Sequence, residues 1–324
     1  MSRRWPRLAA AGILLAAAAL AVPLPARPAA AQTGTLVVVA VGDISPSPAV
    51  DKTDDMATAA IAIGANPTRV LLAGDTQYER GELADFQSTR GFAASWGRPI
   101  LYNRTCPAVG NHEYLDPGVG APGFFTYFGP RLAACANPGG QPDRGYYSFD
   151  LANGWHVVAL NSDCGRDDPA APACGAGSAQ VAWLQSDLQA HAGSRCILAF
   201  WHHPRWGSGF FNDDANVALF WSALYHVHAD LIVDGHEHHY ARFGALDPAG
   251  HLHADGQGIR QITVGTGGRS LLGSRVPPHP EGLRYRDFDH YGILRLALSP
   301  TGWSSEFRRT DGVIADRAGA GCWQ

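Results

Sequence analysis

The segment LVVVAVGD, Leu36–Asp43, decides the fold. Its apolar run has no polar alternation and is dominated by valine, the pattern of a strand covered on both faces, and it halts at a glycine followed by an acid. The arrangement recurs downstream in VLLAGD (Val70–Asp75), PAVGN (Pro107–Asn111), CILAFWH (Cys196–His202) and LIVDGH (Leu231–His236). Between these runs lie segments with helical spacing: Asp51–Ile63, Ser178–Ala190 with Trp183, Leu184 and Leu188 on one face, and Asp214–Val227. Strand, helix, strand repetition predicts an α/β fold with a largely parallel sheet, and such sheets place ligands outside the carboxyl ends of their strands.

Every polar cluster of interest stands at such an end. They are Asp43; Asp75 with Tyr78; Asn111 followed by His112 and Glu113; His202 with His203; and His236 with His238. Carboxylate, amide, phenol and imidazole are hard or borderline donors without thiolate, the mix that suits Fe, Mn or Zn in hydrolysis, whereas a structural zinc knuckle wants cysteines. His236 and His238 read as metal-binding unaided, because Gly-His-x-His puts both imidazoles on one side of an extended loop. The others, taken singly, are turn residues or a surface pair, and it is their joint order that points to a two-metal site. Glycine before the acid or amide lets the chain turn off the strand into a shared crevice. Gly265–Gly268, after the run Ile262–Val264, is either a loop near that site or a plain tight turn, and it lacks the spacing of a dinucleotide or Walker loop. Gly292–Leu298 and Trp303–Phe307 predict a terminal hairpin that extends a sheet, followed by a tail. His226, His228, His251 and His253 read as solvated. Phe124, Phe125, Tyr127 and Phe128 read as core packing, with a substrate wall as the alternative.

The amino terminus reads as a leader. Arg3, Arg4 and Arg7 precede the apolar stretch Ala9–Val22, and Ala29–Ala31 supplies small residues for cleavage before Gln32, so residues 1–31 are expected to be a signal peptide and 32–324 a single domain. A retained membrane anchor is the alternative, disfavoured by Pro23, Pro25 and Pro28. The Ser2-Arg3-Arg4 start also resembles a twin-arginine signal, though Pro6 departs from that pattern. The leader contains four of the 25 basic residues (Arg3, Arg4, Arg7, Arg27) and none of the 29 acidic ones, which leaves 21 against 29, a formal charge of −8. That balance argues against nucleic acid or an anionic membrane as partner, and no protein partner is evident. Six cysteines in an exported chain read as disulfides, with Cys164–Cys174 expected across the Pro-rich insert and Cys322 tied to Cys196 or another core element. The expected location is therefore secreted, periplasmic or at the cell surface.

From about Leu36 to Phe307 these motifs, in this order, resemble the calcineurin-like metallophosphoesterases, and within them the purple acid phosphatases and their bacterial relatives; Tyr78 in G-D-x-x-Y carries the second likeness. The resemblance implies a four-layer αββα sandwich, two mixed sheets flanked by helices, with two metal ions at the sheet edges. It implies Asp43, Tyr78 and His238 on the first ion, Asn111, His202 and His236 on the second, and Asp75 bridging. His202 rather than His203 is the implied ligand because the family histidine stands two residues before a proline, here Pro204. Ser45 departs from the family, where glycine or histidine is usual, so the first ion depends on Tyr78: iron if it binds as tyrosinate, Mn or Zn equally if it does not, paired with Fe, Mn or Zn.

The expected activity is hydrolysis of phosphate monoesters on small phosphorylated substrates, with phosphodiester or nucleotide pyrophosphate hydrolysis as the alternative. His112 is the candidate proton donor to the departing oxygen, Glu113 is expected to orient it, and His203 is a further candidate for contacting the phosphate.

Overall fold

The computed structural model describes Met1 and residues 34–49, 54–274 and 281–323. The leader read over residues 1–31 and the start of the Asp51–Ile63 helix lie outside the described residues. Among the described residues the strands are, in chain order, β1 (Leu36–Val41), β2 (Arg69–Ala73), β3 (Thr105–Ala108), β4 (Tyr147–Asp150), β5 (Trp155–Ala159), β6 (Cys196–Phe200), β7 (Leu231–Asp234), β8 (Tyr240–Leu246), β9 (Leu252–His253), β10 (Ile259–Val264), β11 (Leu283–Asp287), β12 (Gly292–Ser299), β13 (Gly302–Arg309) and β14 (Ile314–Gly321).

They form two mixed sheets, ordered β14-β13-β12-β1-β2-β3 and β11-β8-β10-β7-β6-β5-β4, with β9 paired to β8. The expected parallel arrangement holds where the motifs are: β1, β2 and β3 run parallel, as do β5, β6, β7 and β10. The outer strands pair antiparallel. The expected hairpin is β12 and β13, in register from Gly292↔Arg309 to Ser299↔Gly302. The expected tail is a third strand, β14, paired along β13.

Burial explains the layers. In β6, Leu198 and Phe200 join the core shared with β1 and β2, while Ile197 and Ala199, with Trp201 just past the strand, pack with Leu184 and Leu188 of the helix Ala179–Ala190 and Phe220, Trp221 and Leu224 of Ala218–His226. Each buried leucine, isoleucine or phenylalanine among them contributes roughly 1.5–3 kcal/mol. Ser178 caps the first of these helices, its hydroxyl accepting from the Val181 amide. The helix Asp54–Gly64 buries Ala59 and Ala62, and Pro122–Cys135 buries Phe124, Phe128 and Leu132, so the aromatic cluster after Asn111 is core packing. Three disulfides join Cys106–Cys135, Cys164–Cys174 and Cys196–Cys322, two of them as expected, and no cysteine is free. Among the described residues no helix is long and apolar enough to cross a membrane.

Candidate metal centre

The parallel strands of both sheets deliver their carboxyl ends to one place. Asp43 follows β1, Asp75 and Tyr78 follow β2, Asn111 follows β3, His202 follows β6, and His236 and His238 follow β7. Three of these turns are made by the functional residue itself: Asp43, Asp75 and His236 take φ of 59°, 49° and 66°, the left-handed region that non-glycine residues rarely occupy and that concentrates at functional sites. The glycines before them have a different role from the one the sequence implied. A Cβ on Gly110 would lie 2.2 Å from Asp75 Oδ1, and one on Gly235 2.7 Å from Asp43 Oδ2, so these glycines permit close approach; only Gly74, with φ of 82°, also supplies the turn.

The donor atoms sort themselves into two groups that share one oxygen. Tyr78 Oη lies 2.7 Å from Asp43 Oδ1, 2.7 Å from Asp75 Oδ2 and 3.1 Å from His238 Nε2, and that nitrogen lies 3.3 Å from Asp43 Oδ1. His202 Nε2 lies 3.0 Å from Asn111 Oδ1, 3.3 Å from His236 Nδ1 and 3.3 Å from Asp75 Oδ2. Donors around one ion at roughly 2.0–2.2 Å stand about 3 Å apart, so each group has the spacing of a coordination shell and Asp75 Oδ2 stands in both.

The imidazoles are prepared as ligands. His202 Nδ1–H donates to the Ala73 carbonyl at 2.8 Å, and His238 Nδ1–H to the Ser270 carbonyl at 2.8 Å, which fixes the tautomer and turns each Nε2 lone pair inward. Burial acts against the charged forms of Asp43 and Asp75, and neighbouring histidines, led by His238 and His202 respectively, more than offset it, holding both carboxyls below their ordinary range. Burial, and then the two carboxylates, push the Tyr78 phenol far above its ordinary range. A cation among those three oxygens reverses that balance, so the donor set fits the two metal ions the sequence called for.

Ser45 faces away from the centre, its hydroxyl donating to Asp55 Oδ2 at 2.9 Å, so it leaves the ligand set as the other residues define it. His112 stands at the rim, 25% exposed, its ring 4.3 Å from that of Tyr78 and its Nε2 4.0 Å from Asp75 Oδ2. Its Nδ1–H donates to the Glu79 carbonyl at 2.6 Å, and that carbonyl, rather than Glu113, orients the ring. Glu113 is the correction: it is fully buried, and its carboxylate accepts from the amides of Asp75, Thr76, Gln77 and Gly110 and from the Thr76 hydroxyl, at 2.6–3.3 Å. It holds the β2 and β3 turns in place because their amides would otherwise be buried without acceptors. His203 is buried, with Nδ1 3.0 Å from Ser162 Oγ and its ring 4.4 Å from that of His236. His226, His228, His251 and His253 are exposed, the last two on Asp247.

Two residues, Glu237 and Arg269, went unread in the sequence, while the Gly265–Gly268 segment, read as either a loop near the site or a plain turn, is the former. Glu237, between the two histidines of the last motif, accepts from the amides of Phe210 and Phe211 at 2.7 and 3.2 Å and thereby seats Phe211, whose ring stacks on His236 at 4.1 Å. The loop after β10 is part of the site: Gly267 donates to Gly42, Arg269 to the Asp43 carbonyl and Leu272 to the His238 carbonyl. Arg269 then lays its guanidinium 4.8 Å from the Tyr78 ring centroid and pairs with Glu79. An acid inside Gly-His-x-His was the one available signal, for Glu237.

A cavity of about 300 Å³ opens over the centre, lined by Asp75, Asn111, His112, Phe211, His236 and His238 with Arg269, Ser270 and Leu272. A second, of about 320 Å³, lies on the other side of Phe211 and His236 and reaches His203, Arg166 and Asp214.

The description of the calcineurin-like phosphoesterase family matches residues 36–240, more than half of the chain. Purple acid phosphatase 22 of Arabidopsis thaliana is 29% identical over 177 residues, covering 49% of this chain and 36% of the relative. Purple acid phosphatase 21 of the same plant is 30% identical over 160 residues, covering 47% and 34%. The chain thus spans about a third of the length of these curated relatives. Among solved structures, a purple acid phosphatase from yellow lupin (Lupinus luteus) seeds superposes with a TM-score of 0.65 at 18% identity, over 90% of this chain and 55% of that one. A dimetal phosphatase from Danio rerio does so with 0.57 at 12% identity, over 90% and 100%. At such identities the structural likeness speaks for the fold, the expected sandwich of two mixed sheets between helices.

Proposed function

Since this chain belongs to the calcineurin-like phosphoesterase family, we propose that it is an exported phosphomonoesterase of the acid phosphatase type, with two metal ions held by Asp43, Tyr78 and His238, by Asn111, His202 and His236, and by Asp75 between them. The observation that carries this reading is the division of the donor atoms into two groups joined at Asp75 Oδ2. Bound there, the ions would supply an activated water and neutralise charge on the phosphoryl oxygens. Iron with Tyr78, and Fe, Mn or Zn in the other position, matches the donor types. The purple acid phosphatases among its relatives support the reading.

The residues around the donors complete the chemistry. With the Nδ1–H of His112 committed to the Glu79 carbonyl, its Nε2 faces the site, and as the imidazolium the ring can give its Nε2 proton to the departing ester oxygen. His203, fixed by Ser162 and lining the second cavity, is the further candidate for contacting the phosphate. Export agrees with three disulfides, which persist in oxidising compartments.

A second reading, phosphodiester or nucleotide pyrophosphate hydrolysis, has one observation in its favour: the second cavity beside His236 could house a second substituent on phosphorus. Hydrolysis of p-nitrophenyl phosphate against its bis-ester by the metal-loaded protein decides between them. The monoester is expected to win in kcat/KM, and a strong preference for the bis-ester would favour the second reading. His112→Ala is expected to lower kcat on the same substrate by about 10²-fold or more with metal content intact. Equal loss of both would move His112 into the ligand set.

A further inference from the structure

The cavity over the centre has a wall that bond cleavage itself does not require. On the Tyr78 side stand His112 and Arg269, both against the Tyr78 ring, and on the His236 side stands Phe211. Among the described residues, Arg269 is the one Arg or Lys that lines this cavity. Its place is set by the centre. The Arg269 amide donates to the Asp43 carbonyl at 3.0 Å, and the next residues of the same loop hold His238 through the Ser270 carbonyl and the Leu272 amide. Its guanidinium is steadied by Glu79, with Nη1 2.7 Å from Oε1 and Nη2 3.0 Å from Oε2. The Glu79 side chain is 44% exposed, so this pair is a rim contact that an incoming anion can rearrange.

The direction of the substrate follows from His112. A leaving group that takes a proton from His112 must lie on the Tyr78 side of the phosphoryl group, which is the side that carries the guanidinium. Leu272 and Phe211 offer apolar surface in the same cavity for a short carbon skeleton, and about 300 Å³ is at the small end of ligand pockets. We propose that Arg269 is a specificity-determining residue that reads a second anionic group, a carboxylate or a further phosphate, on the leaving group of a small phosphate ester. A guanidinium suits both, because its planar fork presents paired N–H donors to either anion. The proposal rests on the phosphate-ester reading for the identity of the ligand, and its test reads binding rather than turnover, so the two can fail separately.

The test is calorimetric titration of the metal-loaded full chain with benzylphosphonate, 4-(phosphonomethyl)benzoate and 1,4-xylylenebis(phosphonate). Wild type is expected to bind at least one of the two doubly anionic ligands about tenfold tighter than benzylphosphonate, the scale of one charge-assisted pair. In Arg269→Gln the ratio should fall to within about twofold of unity. In Glu79→Gln it should widen, since the competing carboxylate is gone while the Glu79 carbonyl still holds His112. General damage to the site lowers all affinities together and leaves the ratios unchanged. Whichever doubly anionic ligand binds tighter identifies the group Arg269 reads. Equal ratios in wild type and Arg269→Gln, no preference in wild type, or no binding of any of the three overturn the proposal.

Discussion

Two of the molecule's clusters of aspartate and histidine do opposite things with the same side chains. At the strand ends, each of His202 and His238 spends one nitrogen on a backbone carbonyl and turns the other toward carboxylates and further donors. At the other cluster, His156 of β5 spends both: Nδ1 lies 2.9 Å from Asp150 and Nε2 2.9 Å from Asp187. His191 stacks flat on that ring at 3.8 Å, and Ser148 donates to Asp187 at 2.7 Å. Proximity alone would nominate both as metal sites, since Asp150, His156 and His191 offer ligand atoms as close together as Asp43, Asp75 and His202 do. What separates them is the unspent lone pair. An imidazole with two carboxylate acceptors is an imidazolium holding strands to a helix, whereas one anchored to a carbonyl is a ligand in waiting.

The sharpest way to break that comparison is to remove one carboxylate from each cluster. Asp75→Ala is expected to abolish metal retention and lower turnover by about 10³-fold or more, roughly 4 kcal/mol of transition-state stabilisation. Asp187→Ala should leave the metal stoichiometry of purified protein unchanged. If it also strips metal, the two clusters are not distinct.

Next in size is Glu113→Gln. An amide cannot accept everything that the carboxylate accepts from two turns, so unfolding free energy should fall by about 3 kcal/mol and metal affinity by about 10- to 100-fold. Denaturant melts together with competition by a chelator would show both. A loss of stability with metal affinity unchanged would mean that Glu113 braces the fold without positioning Asp75.

His156→Gln is expected to be smaller and to depend on pH. Burial disfavours the charged ring, and the hydrogen bonds it donates to Asp150 and Asp187 outweigh that, so the His156 pKa is raised in the folded protein. Stability from a raised pKa is fully present below the unfolded value, about 6.5, and is lost as pH climbs through the folded value. Asp150 is lowered, chiefly by its bond to His156, so its share is lost as pH falls below the ordinary carboxylate range, about 3.9. The variant should therefore lose about 2 kcal/mol near pH 6, a figure reduced from that of a fully buried pair because Asp150 is half exposed, and less at pH 9. Thermal melts at the two values check the sign, and an equal or larger loss at pH 9 contradicts it.

Much of this was legible in the chain because it is local. Leu36–Val41 announces β1 to the residue, and the ligands follow strands whose apolar runs stand out against their surroundings. The missing parts are those whose meaning comes from a distant segment. Ile314–Gly321 has little apolar patterning and is a strand because β13 offers it an edge. Glu113 looks like a partner for its neighbour His112, yet its acceptors are filled by turns that end at residue 77 and begin at residue 110. Arg269 reads as a residue after a glycine-rich turn, and only the return of that loop to Asp43 and Tyr78 places its charge at the site. The Asp150, His156, Asp187 and His191 cluster is likewise assembled from a strand pair and a helix, with no motif to mark it.

The central claim is that seven side chains from five strand ends hold two metal ions, and elemental analysis of full-length protein recovered from a native-like exporting host tests it most directly. About two equivalents of Fe, Mn or Zn per chain, with a visible tyrosinate band if iron sits with Tyr78, is the predicted result. Fewer than one equivalent in folded protein with its disulfides formed would contradict it.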